Sequence, residues 1–358
     1  YTGYYQTETL PLTDGGEITR AQVVAWLNDC IDNSGHDLVS DFRNLWPYSY
    51  RGNFDNPSTA YVPYYRYAVN NGLRWEGDGN KETLFAIKFS TIGYNFDYPQ
   101  QKSNQINLYF GMRQQPEDFK YCFPFGTGWG MGTVNPKTWN DWDDADLRKK
   151  GSILNTGDRP AEITAYVRGG NNQMDETLFY QKKYMPINVW KDNGAGMRPS
   201  LQNYSYELYD MGANTDYMSN NTQDLVLIRF ADVLLMHAEL TNGQVIARYG
   251  TDGMNQVRRR AQLPDAPYSL DNLKRERRFE LAFEGIRYYD ILRWHDWDVL
   301  TVNQTDITVY NMNRIGTLSI VFRPETGGFL PIPQTQINLQ EGMLTQNPGW
   351  EGAANYLN

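Results

Sequence analysis

The sequence is poor in the residues that most often announce chemistry: two cysteines and three histidines occur in 358 residues. Cys30 and Cys122 lie far apart, with no Cys or His beside them at metal-ligand spacing, so they build neither a disulfide framework nor a zinc site. They read as two separate thiols behaving as small apolar residues, the alternative being a single disulfide between them. No apolar run approaches the roughly eighteen residues a membrane-spanning helix needs, and Tyr1–Leu10 lack the charged and apolar regions of a signal peptide. Positive charge is short as well: 33 Lys and Arg face 42 Asp and Glu, a net charge of −9. Such a surface repels polyanions, which excludes nucleic acid from the expected ligands. Serine-nucleophile, Walker, GxGxxG and HExxH signatures are missing, so neither a cofactor nor a metal is expected.

Aromatic residues are plentiful. Ten Trp, 26 Tyr and 15 Phe make 14% of the chain, many in Gly- and Asn-rich stretches where no amphipathic period asks for them. Apolar residues at 40% with a mean hydropathy of −0.65 describe a globular chain with a core. Aromatics placed in its loops suggest a binding surface.

Periodicity predicts a helix over Arg20–Asn33, a strand over Lys81–Ser90, and a helical stretch over Pro136–Gly151. Short strands are expected over Ala161–Val167 and Thr177–Tyr184, and helices over Asp224–Thr241, Gly253–Ala261 and Leu270–Trp294. Tyr1–Gly16 reads as loop. The apolar stripe of the Arg20–Asn33 helix is expected to rest on polypeptide preceding this numbering, or to stay exposed. Between Thr91 and Pro136 no period holds, although the composition is too aromatic for disorder.

Five segments then occur in a telling order: LIRFADVLLMHAEL (227–240), NQVRRRAQLP (255–264), LKRERRFELAFEGIRYYDILRW (273–294), FLPIP (329–333) and LTQNPGW (344–350). Together with SGHDLVSDFRNLW (34–46), this text resembles the SusD/RagB family of nutrient-binding lipoproteins. The resemblance implies a mainly α fold, a TPR-like helical-hairpin scaffold with a large loop-rich region and a few short strands. It divides the chain into 1–35, the end of an N-terminal helical region whose preceding part is absent; 36–223, a loop-rich binding region; and 224–358, the C-terminal helical domain. It also implies a role that is not enzymatic: capture of an oligosaccharide at the cell surface, on a lipid anchor belonging to a preceding N-terminus. Delivery would be to a SusC-like TonB-dependent transporter in the outer membrane. A peptide ligand is the alternative, and a glycoside hydrolase the third reading.

The hydrolase reading needs two carboxylates flanking a bond, and Asp141, Asp143, Asp144 and Asp146 beside Trp139 and Trp142 are its best place. The same run also reads as a capped helix start, with acids at one end and Arg148, Lys149 and Lys150 at the other. Along 270–294, spacings of three and four set Arg277 near Glu280, Glu280 near Glu284 and Glu284 near Arg287, a scaffold stripe of paired charge. His237, alone on an apolar face, reads as a satisfied core histidine. A sugar site needs flat rings beside amide and carboxylate groups. Trp75, Tyr94, Asn95, Phe96, Asp97, Tyr98, Tyr109, Arg113, Tyr121 and Trp129 supply both kinds, and Trp129, between glycines that let a ligand approach, is the preferred platform.

Overall fold

Helices outweigh strands among the described residues, and the described strands come only in pairs. The computed structural model describes residues 1–51, 67–90, 104–112, 125, 128–156, 177–187, 221–301, 308–311, 314–317 and 321–351. In chain order these hold α1 (Thr2–Tyr5), β1 (Thr9–Pro11), β2 (Glu17–Thr19), α2 (Arg20–Asn33), two 3-10 turns (Phe42–Leu45 and Pro47–Ser49), α3 (Tyr67–Asn70), β3 (Thr83–Ile87), α4 (Ile106–Phe110), α5 (Pro136–Asp141) and α6 (Leu147–Ser152). There follow β4 (Ile153–Asn155), β5 (Phe179–Gln181), β6 (Leu225–Arg229), α7 (Phe230–Thr241), α8 (Gly253–Arg260), α9 (Leu270–Glu280), α10 (Arg287–Trp294), α11 (Trp297–Thr301), β7 (Thr308–Asn311), β8 (Arg314–Thr317), a 3-10 turn (Pro324–Thr326) and α12 (Gln334–Leu339). The chain forms two units, the larger from 20–285 and 307–316, the smaller from 1–19, 286–306 and 317–358.

In the larger unit α7 is the central rod. Phe230, Ala231, Val233, Leu234, Leu235 and Ala238 are all buried, because α2, α8 and α9 pack around it; a helix apolar on most faces must be an inner one. Asn242, at φ 53°, and then Gly243 end it in a left-handed turn. Asp252 caps α8 by accepting the Asn255 N–H at 3.0 Å. The first residue of α8, Gly253, lies so close to Leu234 that any Cβ would collide with that residue's carbonyl. α2 covers α7 with Leu27 and Ile31, while Val23, Val24 and the free thiol of Cys30 are half-buried and Trp26 stays 57% exposed.

Three expected helices differ from their sequence pattern. The stretch from Asp224 starts as a strand, not a helix: β6 pairs antiparallel with β3, Arg229 opposite Thr83 and Leu225 opposite Ile87. The long helix expected over Leu270–Trp294 stops at Glu280 and resumes at Arg287, with Phe283 (φ 67°) and Gly285 (φ 81°) turning the chain between. The stretch 136–151 is two helices, since Asp146 caps a second one by accepting the Arg148 N–H. The Trp142 ring stacks on Phe279 at 4.6 Å. Arg20–Asn33, Gly253–Arg260 and the strands near 83–87 and 179–181 agree with their expected places; Ala161–Val167 lies outside the described residues.

Part of the described run 37–51 is core. Its two 3-10 turns bury Phe42, Leu45, Trp46 and Tyr48 against Met112, Phe125, Leu154, Tyr180 and Tyr184. In the smaller unit Tyr1–Thr19 is not all loop but holds α1 and the β1–β2 hairpin. There the Tyr4 hydroxyl donates to the Gly327 carbonyl at 2.8 Å and that of Tyr288 to Gly328 at 2.7 Å. The two family phrases 329–333 and 344–350 bind each other. Gln346 accepts the Ile332 N–H at 2.7 Å and donates to the Ile332 carbonyl at 2.8 Å; Asn347 donates to Leu330 O and the Trp350 indole to Phe329 O. Side chains thus supply the pairing that a neighbouring strand would otherwise give an extended segment.

Candidate functional site

The charged residues of the α9 region gather into one buried cluster rather than a stripe along a helix. Glu280 accepts from Arg148 at 2.9 Å, from Arg229 at 2.5 Å and from Arg260. Glu82 accepts from Arg229 at 2.8 Å and Arg260 at 2.9 Å, Glu276 from Arg148 at 2.5 Å and Arg258 at 3.0 Å, and Glu284 from Arg229 at 2.7 Å and Lys183 at 2.6 Å. Arg277 pairs with Asp232 at 2.6 Å. Burial alone would raise the pKa of Glu280, but Arg260, Arg229 and Arg148 overcome it and hold the group well below the carboxylate range. Burial likewise opposes the charge of Glu284, and Arg229 and Lys183 prevail. Burial pulls Lys183 down to about 8 against the attraction of Glu284. These groups neutralise one another and hold helices together.

The acids of 141–146 are engaged in the same way. Burial would raise Asp141, but its bonds to Lys137 at 3.0 Å and Arg278 at 2.9 Å lower it. Asp144 is lowered by its 2.6 Å bond from Lys149. Asp143 accepts the Ala145 N–H, and Asp146 accepts from Arg148 and from the Trp142 indole. A general acid needs its proton retained near neutrality, whereas Asp141 and Asp144 are driven toward the charged form. His237 is buried with its pKa lowered by desolvation. It is a core histidine, as expected, although its Nδ1 has no hydrogen-bond partner among the described residues.

The aromatic residues are arranged differently. Gly128, Trp129, Gly130 and Met131 donate successive backbone N–H groups to the carbonyls of Met112, Leu108, Gly111 and Tyr109, at 2.9, 2.7, 2.8 and 2.8 Å. The loop thereby closes the C-terminal end of α4, satisfying carbonyls that a helix end leaves without intrahelical partners. Its glycines are required by this packing: a Cβ on Gly128 would strike the Leu108 carbonyl, and one on Gly132 (φ 65°) the Phe110 ring. Gly128 and Gly132 thus admit the helix's own backbone and ring. Held on this frame, the half-buried Trp129 meets the Tyr109 ring edge-on at 5.4 Å and 76°.

Trp75 is also half-buried and edge-on to Tyr50 at 6.2 Å, on a strip whose N–H groups bond Ser49 and Asn44. Tyr94, Asn95, Phe96, Asp97, Tyr98, Arg113 and Tyr121 lie outside the described residues. Sequence reasoning missed Lys182 and Lys183. The ammonium of Lys182 sits over the rings of Tyr48, Tyr67 and Phe125, and that of Lys183 over Phe42 and Trp46. The available signal was two lysines inside an aromatic strand-like run, FYQKKY.

A sequence profile of the SusD family matches residues 32–350. The chain belongs to the SusD family. SusD-like protein P2 of Formosa agariphila is 25% identical over 291 residues, 76% of this chain and 49% of that protein. Among solved structures, surface glycan-binding protein A from Bacteroides thetaiotaomicron, in complex with laminarihexaose, superposes with a TM-score of 0.60 at 20% identity, covering 92% of this chain and 60% of that one. A laminarin-binding SusD-like protein gives 0.62 at 22%, covering 92% and 59%. The chain therefore spans about half to six-tenths of the length of these relatives. Its helix-rich architecture with few short strands is the SusD-like one.

Proposed function

We propose that this SusD-family chain is the ligand-binding part of a cell-surface protein, and not an enzyme, which captures a nutrient glycan and hands it to a TonB-dependent transporter in the outer membrane. The observation that carries the reading is the Trp129 loop, fixed by four backbone bonds to the end of α4. A ring held in place before the ligand arrives loses little freedom on binding. One face of a pyranose is a sheet of C–H groups that packs on such a ring. Trp75, Tyr94, Asn95, Phe96, Asp97, Tyr98, Arg113 and Tyr121 are proposed to complete the face with further rings and with polar groups for the hydroxyl rim.

Two structural relatives carry laminarihexaose or laminarin in their names, which makes laminarin the first ligand to try. Attachment would be through a lipid on a preceding N-terminus; among the described residues no helix is long and apolar enough to cross a membrane. The test is calorimetric titration of the full-length protein with laminarin, a panel of other oligosaccharides and a panel of peptides. Saturable heat with a glycan supports the reading, and heat with peptides alone overturns it.

A further inference from the structure

Lys182 and Lys183 are neighbours in sequence, yet their ammonium groups serve different parts of the larger unit. Lys183 donates to the Glu284 carboxylate at 2.6 Å and the Glu280 carbonyl at 3.0 Å, and so belongs to the ion cluster. Lys182 donates to the Lys150 carbonyl at 3.0 Å and the Tyr67 hydroxyl at 3.1 Å, in a place where only 3% of the residue is exposed. Three rings surround it, with Tyr48, Tyr67 and Phe125 centred 5.5, 5.3 and 5.4 Å from the nitrogen. Ring faces attract a cation, more so when water is shut out.

Those rings come from separate parts of the aromatic sequence. Tyr48 lies on a 3-10 turn and is tied to the Gly151 carbonyl at 2.6 Å. Tyr67 opens α3 and meets both other rings edge-on, Tyr48 at 6.0 Å and Phe125 at 5.7 Å. Phe125 bridges to the Ile187 backbone and stands four residues before Trp129. The Trp129 loop is thus fixed at one end by α4 and approached from the other through a ring held on an ammonium. A buried ammonium is costly without partners, and a methionine of similar length would fill the space. What the lysine adds is orientation, since its charge fixes the Tyr67 hydroxyl and three ring faces together.

We propose that Lys182 is a positioning residue of the binding face: it ties Tyr67 and Phe125, on the two aromatic segments, to the scaffold and so sets where Trp129 is presented. This rests on the glycan-binding reading above. The test compares full-length wild type with Lys182→Met and Lys182→Arg, by laminarin titration and by backbone hydrogen exchange. Lys182→Met is expected to weaken laminarin binding on the order of tenfold, the scale seen for supporting residues at metal sites. It should also speed exchange at Tyr67–Leu73 and Gly128–Met131 while α8 and α9 exchange as before, and Lys182→Arg should recover part of both. Wild-type exchange at those two segments overturns the proposal, as does faster exchange throughout α7–α9, which would make Lys182 a general stabiliser. If wild type takes up no laminarin, the titration is run with the oligosaccharide of the panel that gives saturable heat; if none does, the glycan reading fails, while the exchange comparison still decides whether Lys182 positions the Trp129 loop.

Discussion

Arg148 and Glu280 stand 132 residues apart in the chain and 2.9 Å apart in the fold, both side chains fully buried. Glu280 also takes Arg229 and Arg260, so removing its charge leaves three guanidinium groups short of a partner. Glu280→Gln is expected to cost about 3–5 kcal/mol, the range for breaking a buried ion pair by one partner. Scanning calorimetry reads this directly, and a variant melting with the wild type would show that the cluster is dispensable.

The same carboxylates set an acid limit. The folded pKa values of Glu280 and Glu284 are lowered relative to an unfolded value of about 4.3. Their stabilisation is therefore complete above that value and is lost as pH falls below it toward the folded pKa values. The melting temperature of the wild type should drop in that window, and Glu280→Gln should show a shallower dependence on pH there. Parallel melting curves for the two proteins across the window would contradict this account.

Replacing Glu284, on the scaffold, is expected to lower stability without selectively removing ligand affinity. Trp129→Ala should do the reverse. Its effect on glycan binding should be about 1–3 kcal/mol, by analogy with aromatic stacking on nucleobases, with the fold intact. An unchanged dissociation constant for a glycan that the wild type takes up would move the site away from this ring.

Gly132→Ala tests the frame beneath the ring. At φ 65° and against Phe110, alanine costs about 1–2 kcal/mol from the left-handed backbone alone. The clash should push the loop off α4, so affinity falls more than stability. Equal losses would mean that the loop's geometry does not matter to the ligand.

Gln346→Ala removes both bonds to the Ile332 backbone. Its expected effect is about 1–3 kcal/mol of stability with affinity unchanged. A melting temperature equal to that of the wild type would show that water replaces the clamp.

Much of the helical scaffold was legible because local period sufficed. The Arg20–Asn33 helix and α8 appear where their apolar spacing places them. What was not legible depended on distant partners. Leu225–Arg229 carries helical period but pairs with β3, more than a hundred residues earlier. In the α9–α10 stretch Gly285 was a visible signal, whereas the left-handed Phe283 beside it was not. Of the candidate site, the sequence found aromatic rings outside any period. It could not tell Trp46 and Tyr48, which fill the core, from Trp129, which stays half-buried, because identical residue types serve both uses. The lysines that hold those rings were hidden for a related reason: a buried ammonium is acceptable only among partners that no local pattern names.

The ion cluster also bears on how the chain reaches its fold. Glu82 meets Arg229 and Arg260 across separations of 147 and 178 residues, and Arg148 meets Glu276 across 128. None of these pairs forms until a long stretch of chain has closed on itself, an entropy cost that precedes any reward. A state holding some of the segments but not others carries unmatched charge out of water. Half-assembled forms are thereby penalised more than they would be with an oily core, and the segments from Glu82 to Glu284 are driven to come together in one cooperative, slow step.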